Sequence, residues 1–413
     1  SLPVSAYMAV RFFVPIYRKL NSPSAYSFLE QKFGLWARVY VSACYLLTQL
    51  MRIGTILYLL ALPVNALFGW DIMMIIAVTG LVVMVYSLLG GIQAVMWTDA
   101  IQGIVLIGGA LVCLGYIFFA MPEGPGQVFT IAAENDKFSL GSFGTSLSES
   151  TFWVVLIYGI FINLQNYGID QNYVQRYMAS SSEAEAKRSA LWGGMLYLPV
   201  SMLFFLIGTA LFAYYRVFPE TLPADLHDLA KSDRVFPFFI VDVLPDGLTG
   251  LMIASIFAAG MSTISTGINS SSTVVLVDYY QRFSKKEVSE KESMRVLYLT
   301  TFLISVIGIG IGFAMINVKS ALDAWWKLAS VFSGGMLGLF LLGAFVEKVS
   351  RKGAILGVVL GVILILWMSL SPLIWTEGPM QDYASPFHAY LAIVFGTMVL
   401  FLTGFLVTVV ARR

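Results

Sequence analysis

An all-α membrane protein that crosses the bilayer many times is the fold class this sequence predicts, and three observations predict it. Of its 413 residues, 58% are hydrophobic and only 12% charged, where a soluble domain carries about 25% charged residues. Apolar runs of about 20 residues, the length a helix needs to cross the hydrocarbon, recur along the whole chain. The turn-forming clusters, such as Asn21-Ser-Pro, Pro122-Glu-Gly-Pro and Pro245-Asp-Gly, fall between those runs.

Helices are the expected spanning element because an unpaired backbone group is costly in lipid. Eleven spans are expected, at 2–16, 36–64, 72–90, 95–120, 151–168, 189–215, 246–279, 296–316, 323–346, 353–370 and 385–410. The first is short on its N-terminal side, and the opening Ser1-Leu-Pro-Val reads as a cut or processed end. Segment 121–150, with Ser, Gly and Thr clusters, is expected to hold a short surface helix. Segment 216–245 is expected to cap the same face. One membrane domain, 1–413, accommodates all of this without a linker.

Charge gives the orientation. Arg18, Lys19, Lys32 and Arg38, then Arg176, Lys187 and Arg188, then Arg282, Lys285, Lys286, Lys291 and Arg295, then Lys348, Arg351 and Lys352 fall in alternate connections, with Arg412 and Arg413 at the end. The positive-inside rule places these, and the C-terminus, in the cytoplasm. A net charge of +1 offers no field for nucleic acid. Cys44 and Cys113 lie in apolar stretches and read as small buried hydrophobes. His227 and His388 stand far apart with no neighbouring ligand set, which argues against a transition metal.

Four polar features are not explained by burial in lipid. The run Ala258 to Thr273 places Ser262, Thr263, Ser265, Thr266, Asn269 and Thr273 at spacings that share one side of a helix. Several such oxygens suit a hard monovalent cation; alternatively the small residues serve helix packing and back-bond to the preceding turn. Asp99, behind the bend expected at Gly90-Gly91, is an acid inside an apolar span and could face that helix, or it could be an interfacial carboxylate. Arg52, with Gln49 one turn before it, lies too deep to snorkel and presents a planar fork that suits a carboxylate. Its alternative is a structural pair with a fixed acid. Finally, Asn163 to Tyr177 turns polar after an apolar span, and Gly168 permits a helix break there. Asp170, Gln171 and Tyr173 are therefore expected at a cavity or its gate, against an ordinary helix end. Gln175 and Arg176 are expected to lock the loop.

Enzymatic motifs are absent from the sequence: no His-Glu-x-x-His, no metal-spaced Cys pair and no phosphate-cradling Gly-rich run ending in Lys-Ser/Thr. A non-enzymatic protein is expected, with a solute transporter favoured over a passive channel or membrane sensor.

The segments Tyr86 to Gly103, Asp170 to Tyr177, Ile256 to Thr273 and Gly334 to Gly343 together resemble the sodium:solute symporter family, and the bacterial sialic acid branch most. The resemblance implies a LeuT-like fold of two inverted five-helix repeats, here 1–188 and 189–370, with an additional helix at 385–411. It implies a multi-pass protein of the bacterial inner membrane, co-transporting Na+, in contact with lipid and a small anionic or sugar substrate, without an obligate protein partner. Ala259, Ser262 and Thr263 match the helix side of the principal sodium site. Asp99, Ser262, Ser265 and Thr266 match a second one, and Arg52 matches the carboxylate-binding arginine, within a substrate set of Arg52, Gln49, Asp170, Gln171 and Tyr173. The family's broken first helix would precede Ser1, so the resemblance implies that the sequence is part of a longer transporter. N-acetylneuraminate is the leading expected substrate; a neutral sugar or monocarboxylate is the alternative.

Overall fold

The computed structural model describes residues 1–20, 22–227, 234–318, 329, 335–375 and 379–412, without the side chains of 66, 92–94 and 225. Every regular element among them is helical. Nine described helices are long and apolar enough to cross a membrane, as the lengths of the apolar runs dictate.

Helix α1 runs over 2–20, with a π-helical turn at Ala9–Phe13 between Leu2–Met8 and Val14–Leu20. The short α2 (Ser27–Phe33) leads through Gly34, at φ 93°, into α3 (Leu35–Phe68). Next, α4 (Ile72–Ala120) is two spans joined at Gly91, whose φ of 53° and ψ of −158° break the helical backbone. The expected Gly90-Gly91 bend is thus present at the second glycine, the residue without a Cβ penalty in that region. The surface helix expected in 121–150 is α5 (Gly126–Glu134).

Thr151 caps α6 (Phe152–Ile169) through its side chain, and the chain then turns at Asp170 into α7 (Gln171–Ala179). The break lies at Asp170, with φ −71° and ψ 126°, rather than at Gly168. Gly168 stays helical and serves close packing instead: a Cβ there would approach the Phe13 ring to 3.2 Å, and its carbonyl accepts the Tyr17 hydroxyl at 2.6 Å. After α8 (Glu183–Val217), the described residues of segment 216–245 form short helical pieces, ending in α9 (Val235–Phe238) and a π turn at Phe239–Val243.

The polar run lies in α10 (Asp246–Val274), which continues through a π segment at Val275–Tyr280 to Phe283. It is followed by α11 (Glu290–Met315), opened by a capping box of Ser289 and Glu292. Nearly half of the span expected at 323–346, including Gly334, lies outside the described residues; its described end is α12 (Met336–Phe345). The last helices are α13 (Arg351–Ile374) and α14 (Leu391–Ala411).

Packing on two sides of the bundle holds these helices in place. Helices α3, α4, α10 and α11 all pack on one another around a core that includes Ile53, Leu57, Ile76 and Ile264. On the other side, α13 and α14 approach through glycines: a Cβ on Gly357 would stand 2.6 Å from the Leu400 carbonyl oxygen, and one on Gly361 3.0 Å from that of Gly396. Small residues permit this contact between backbones, which is how membrane helices gain van der Waals attraction.

Candidate functional site

The register between α4 and α10 is fixed by a small residue and a hydroxyl. Gly109 leaves room for Ser255, which donates to the Val105 carbonyl at 3.0 Å. The helices run antiparallel here, so seven residues along α10 from Ser255 and six back along α4 from Val105 place Ser262 opposite Asp99. The Ser262 hydroxyl donates to one Asp99 carboxylate oxygen at 2.5 Å, and Thr266, one turn on, donates to the other at 3.1 Å. Arg176 of α7 closes the group: its Nη2 lies 2.5 Å from Asp99 Oδ2 and 3.2 Å from Thr266 Oγ1. Asp99 is only 12% exposed, so this carboxylate is largely buried in the bundle and has a charged partner. Arg176, expected to lock its loop, reaches across to α4 and α10 instead.

Ser265 is fully buried and turns its hydroxyl to the Ser262 carbonyl at 3.1 Å, so it meets the carboxylate only through its neighbour. Of the three residues expected to form the principal ion position, Ala259 and Thr263 are in hydrogen-bond contact. Thr263 is exposed and donates to the Ala259 carbonyl at 3.1 Å, while Ser262 points to Asp99. Farther along α10, Ser270, Ser272 and Thr273 all bond to carbonyls three or four residues back. The hydroxyl run therefore divides: Ser262 and Thr266 reach a carboxylate, Ser270 also donates to Asn172 Oδ1 at 2.5 Å and accepts from the Tyr45 hydroxyl at 2.7 Å, Ser272 also meets the Thr301 hydroxyl at 3.0 Å, and Thr263 and Thr273 satisfy the helix itself. The oxygen-only donor set around Asp99, one carboxylate and several hydroxyls, fits a hard cation better than a transition metal.

A cavity lies between α3, α6 and α12. Arg52, Tyr45 and Thr48 from α3 line it, with Tyr158, Gln165, Asn166 and Asp170 from the end of α6. The Asp170 side chain caps α7 by accepting from the Asn172 backbone at 2.8 Å, which holds the carboxylate at the cavity wall within Coulombic reach of Arg52. Burying a guanidinium is tolerated where an acid and polar groups face it. The buried Oε1 of Gln165 has no hydrogen-bond partner among the described residues, so the wall carries an acceptor that folding leaves unused.

Three of the expected substrate contacts stand elsewhere. Gln171 is fully buried, accepts from the Ala25 backbone at 2.9 Å and donates to the Pro23 carbonyl at 2.6 Å. Its amide ties the 22–26 turn to α7. Tyr173 packs against Tyr167, with ring centroids 4.9 Å apart. Gln49 is fully buried beside Gly267, and neither amide atom has a hydrogen-bond partner among the described residues. None of the three lines the cavity.

Residues 2–361 match the sodium:solute symporter family. The chain belongs to that family. Among relatives of this sodium:solute symporter, the sodium/sialic acid symporter SiaT of Proteus mirabilis is 35% identical over 358 residues, covering 86% of this chain and 71% of the relative. The sodium/sialic acid symporter NanT of Aliivibrio fischeri is 34% identical over 360 residues, with 86% and 70% covered. The human sodium-coupled monocarboxylate transporter 1 is 28% identical, over 92% of this chain and 62% of its own length. A solved structure of a Na+-coupled sialic acid symporter, substrate-bound and outward-open, superposes with a TM-score of 0.88 at 32% identity, covering 100% of this chain and 83% of that one. The LeuT-like, all-helical architecture expected of the family is therefore the fold of this chain.

One polar cluster of this symporter has almost no signature in the sequence. Asp278, fully buried in the π segment of α10, accepts from Arg38 Nε at 2.6 Å and from the Ser24 hydroxyl at 2.7 Å. Arg38 also donates through Nη1 to Glu30 at 2.7 Å and through Nη2 to the Val277 carbonyl at 3.0 Å, and Arg282 donates to the same Glu30. Two arginines that count toward the basic connections are thus neutralised by acids, and together they clamp α2 and the start of α3 onto the far end of α10. Only the acid at the end of the apolar run Val274-Val-Leu-Val hints at it in sequence.

Proposed function

We propose that this chain is a sodium-coupled symporter that imports a small organic anion by alternating access, with sialic acid as the first substrate to test. The observation that carries the reading is the cavity that holds Arg52 opposite Asp170, Gln165 and Asn166. A guanidinium in a low-dielectric wall attracts a carboxylate strongly and can bind both of its oxygens. Neutral acceptors beside it suit the hydroxyl and amide groups of an acidic sugar. Similarity to SiaT and NanT supports the same substrate class. Substrate would have to compete with Asp170 for Arg52, which keeps the cavity from trapping any passing anion.

Sodium enters this reading as the co-transported ion. Asp99, Ser262, Ser265 and Thr266 would hold one ion, and Ala259, Ser262 and Thr263 would supply one side of another; multiple weak oxygen contacts suit an ion that must also leave. The repeats would comprise 1–188 and 189–370, the helix at 385–411 would lie outside them, and the C-terminus would face the cytoplasm of a bacterial inner membrane. Transport without catalysis accounts for the polar residues described above. A monocarboxylate is the second reading, favoured by the human relative and by the same arginine.

Proteoliposomes test this directly. Uptake of N-acetylneuraminate should require an inward sodium gradient and vanish when potassium or choline replaces sodium. Arg52→Ala should weaken half-saturation by the acid roughly tenfold to a hundredfold, the worth of a charge-assisted hydrogen bond, while a neutral hexose is indifferent to it. Unchanged affinity for every acid screened would remove Arg52 from the binding site.

A further inference from the structure

Helix α7 joins the two polar centres. At its first end Asp170 caps the helix and lines the cavity. Two turns later Arg176 reaches the Asp99 group, about 9 Å farther along the axis at 1.5 Å per residue. Only Nη2 of this guanidinium is engaged among the described residues, and the side chain is 41% exposed. It touches Asp99 Oδ2 and Thr266 Oγ1, two of the oxygens a sodium ion at this place would need.

We propose that Arg176 is a tethered counter-cation of Asp99 that sodium displaces, so that ion occupancy at Asp99 and the position of α7 exclude or permit one another. The inference rests on the reading of Asp99 as part of a sodium site. A carboxylate this well buried requires a positive partner. In the arrangement seen here the guanidinium supplies that charge. A sodium ion on the same oxygens would supply it equally, and two cations within contact distance of one carboxylate oxygen would repel. Exchange leaves the net charge of the group unchanged, and the released guanidinium, already half in solvent, is rehydrated at little cost. Because the same short helix carries Asp170, displacement of its far end is felt in the cavity wall. The short helix thereby couples ion occupancy to solute binding without a long chain of intermediates.

Equilibrium binding of radioactive sodium to the purified protein, with and without N-acetylneuraminate, tests the exchange in four variants. Arg176→Gln should lower the sodium concentration for half-saturation about fivefold or more, the lower range of typical coupling between sites, and should abolish the effect of the solute on it. Arg176→Lys, whose compact ammonium lacks the guanidinium's fork, should give a smaller shift in the same direction, and it carries the test should the glutamine variant fail to fold. In the double variant Asp99→Asn with Arg176→Gln the gain should disappear. Unchanged or weaker sodium binding in both Arg176 variants, with Asp99→Asn still losing an ion, would overturn the exchange and leave the arginine a structural prop. If Asp99→Asn alone loses no sodium, the fault lies in the underlying assignment of the ion site, and the exchange falls with it.

Discussion

Two arginines on opposite sides of α10 make ion pairs of nearly equal length in entirely different surroundings. Arg38 uses Nε, Nη1 and Nη2 at once, on Asp278, Glu30 and the Val277 carbonyl, and it is 8% exposed. Arg176 uses Nη2 alone and is 41% exposed. The saturated guanidinium has nothing to gain by moving, and removing it would strand a fully buried carboxylate. Water can take over from the half-engaged one. The number of satisfied donors and the access of solvent, not the length of the ion pair, separate a clamp from a movable partner.

This contrast is easiest to break with the largest effect. Arg38→Ala leaves Asp278 uncompensated and should cost about 3–5 kcal/mol, seen as a large fall in the melting temperature of the detergent-solubilised protein. The double variant Arg38→Leu with Asp278→Leu should recover much of it, because that pair of charges is removed together. A smaller and conditional effect is expected at the other arginine. Arg176→Gln should melt close to the parent in sodium buffer and clearly below it in choline, since only an ion can then neutralise Asp99. Equal losses for Arg38→Ala and Arg176→Gln in sodium would erase the distinction.

The smallest effect concerns Glu30, between the two arginines of the clamp. Hydrogen bonds from Arg282 first, and then from Arg38, hold its carboxyl below the usual glutamate range. A folded value below the unfolded one stabilises the clamp fully above the unfolded value of about 4.3, and the contribution is lost as pH falls through the folded value. Arg282 is largely solvated, so Glu30→Gln should cost under about 1 kcal/mol at neutral pH. The variant and parent should converge in melting temperature below about pH 4.

Much of the architecture is legible in the sequence because lipid enforces simple rules. Runs such as 151–168 and 353–370 lie within one to four residues of the helices Phe152–Ile169 and Arg351–Ile374. The last helix begins at Leu391 and not at 385, because Ser385 and Phe387 are engaged in a turn before it. Side-chain roles are less legible, because they depend on partners far away in sequence. Gln171 looks like a cavity residue until the turn at 22–26 docks on it. Arg176 and Asp99 stand 77 residues apart, and no local pattern announces their meeting. The hydroxyl run is plain to see, but spacing alone does not separate Ser262 and Thr266, which reach Asp99, from Thr263 and Thr273, which bond to their own helix. Thr48, Gln165 and Asn166 at the cavity carry no signal beyond polarity in an apolar span.

Gly109, packed on Ser255, sets how far around its helix Asp99 points, since the acid lies on the same limb of α4 beyond the break at Gly91. One residue inserted between Asp99 and Gly109 would turn the acid by about 100° if the packing of Gly109 on Ser255 held. The aspartate would then face a different neighbour while every proposed ion ligand kept its identity. If Asp99 holds the ion as proposed, the length of helix between a packing contact and a ligand would matter to ion binding as much as the ligand itself, and a chain could lose its coupling ion through a change that no comparison of binding residues would reveal.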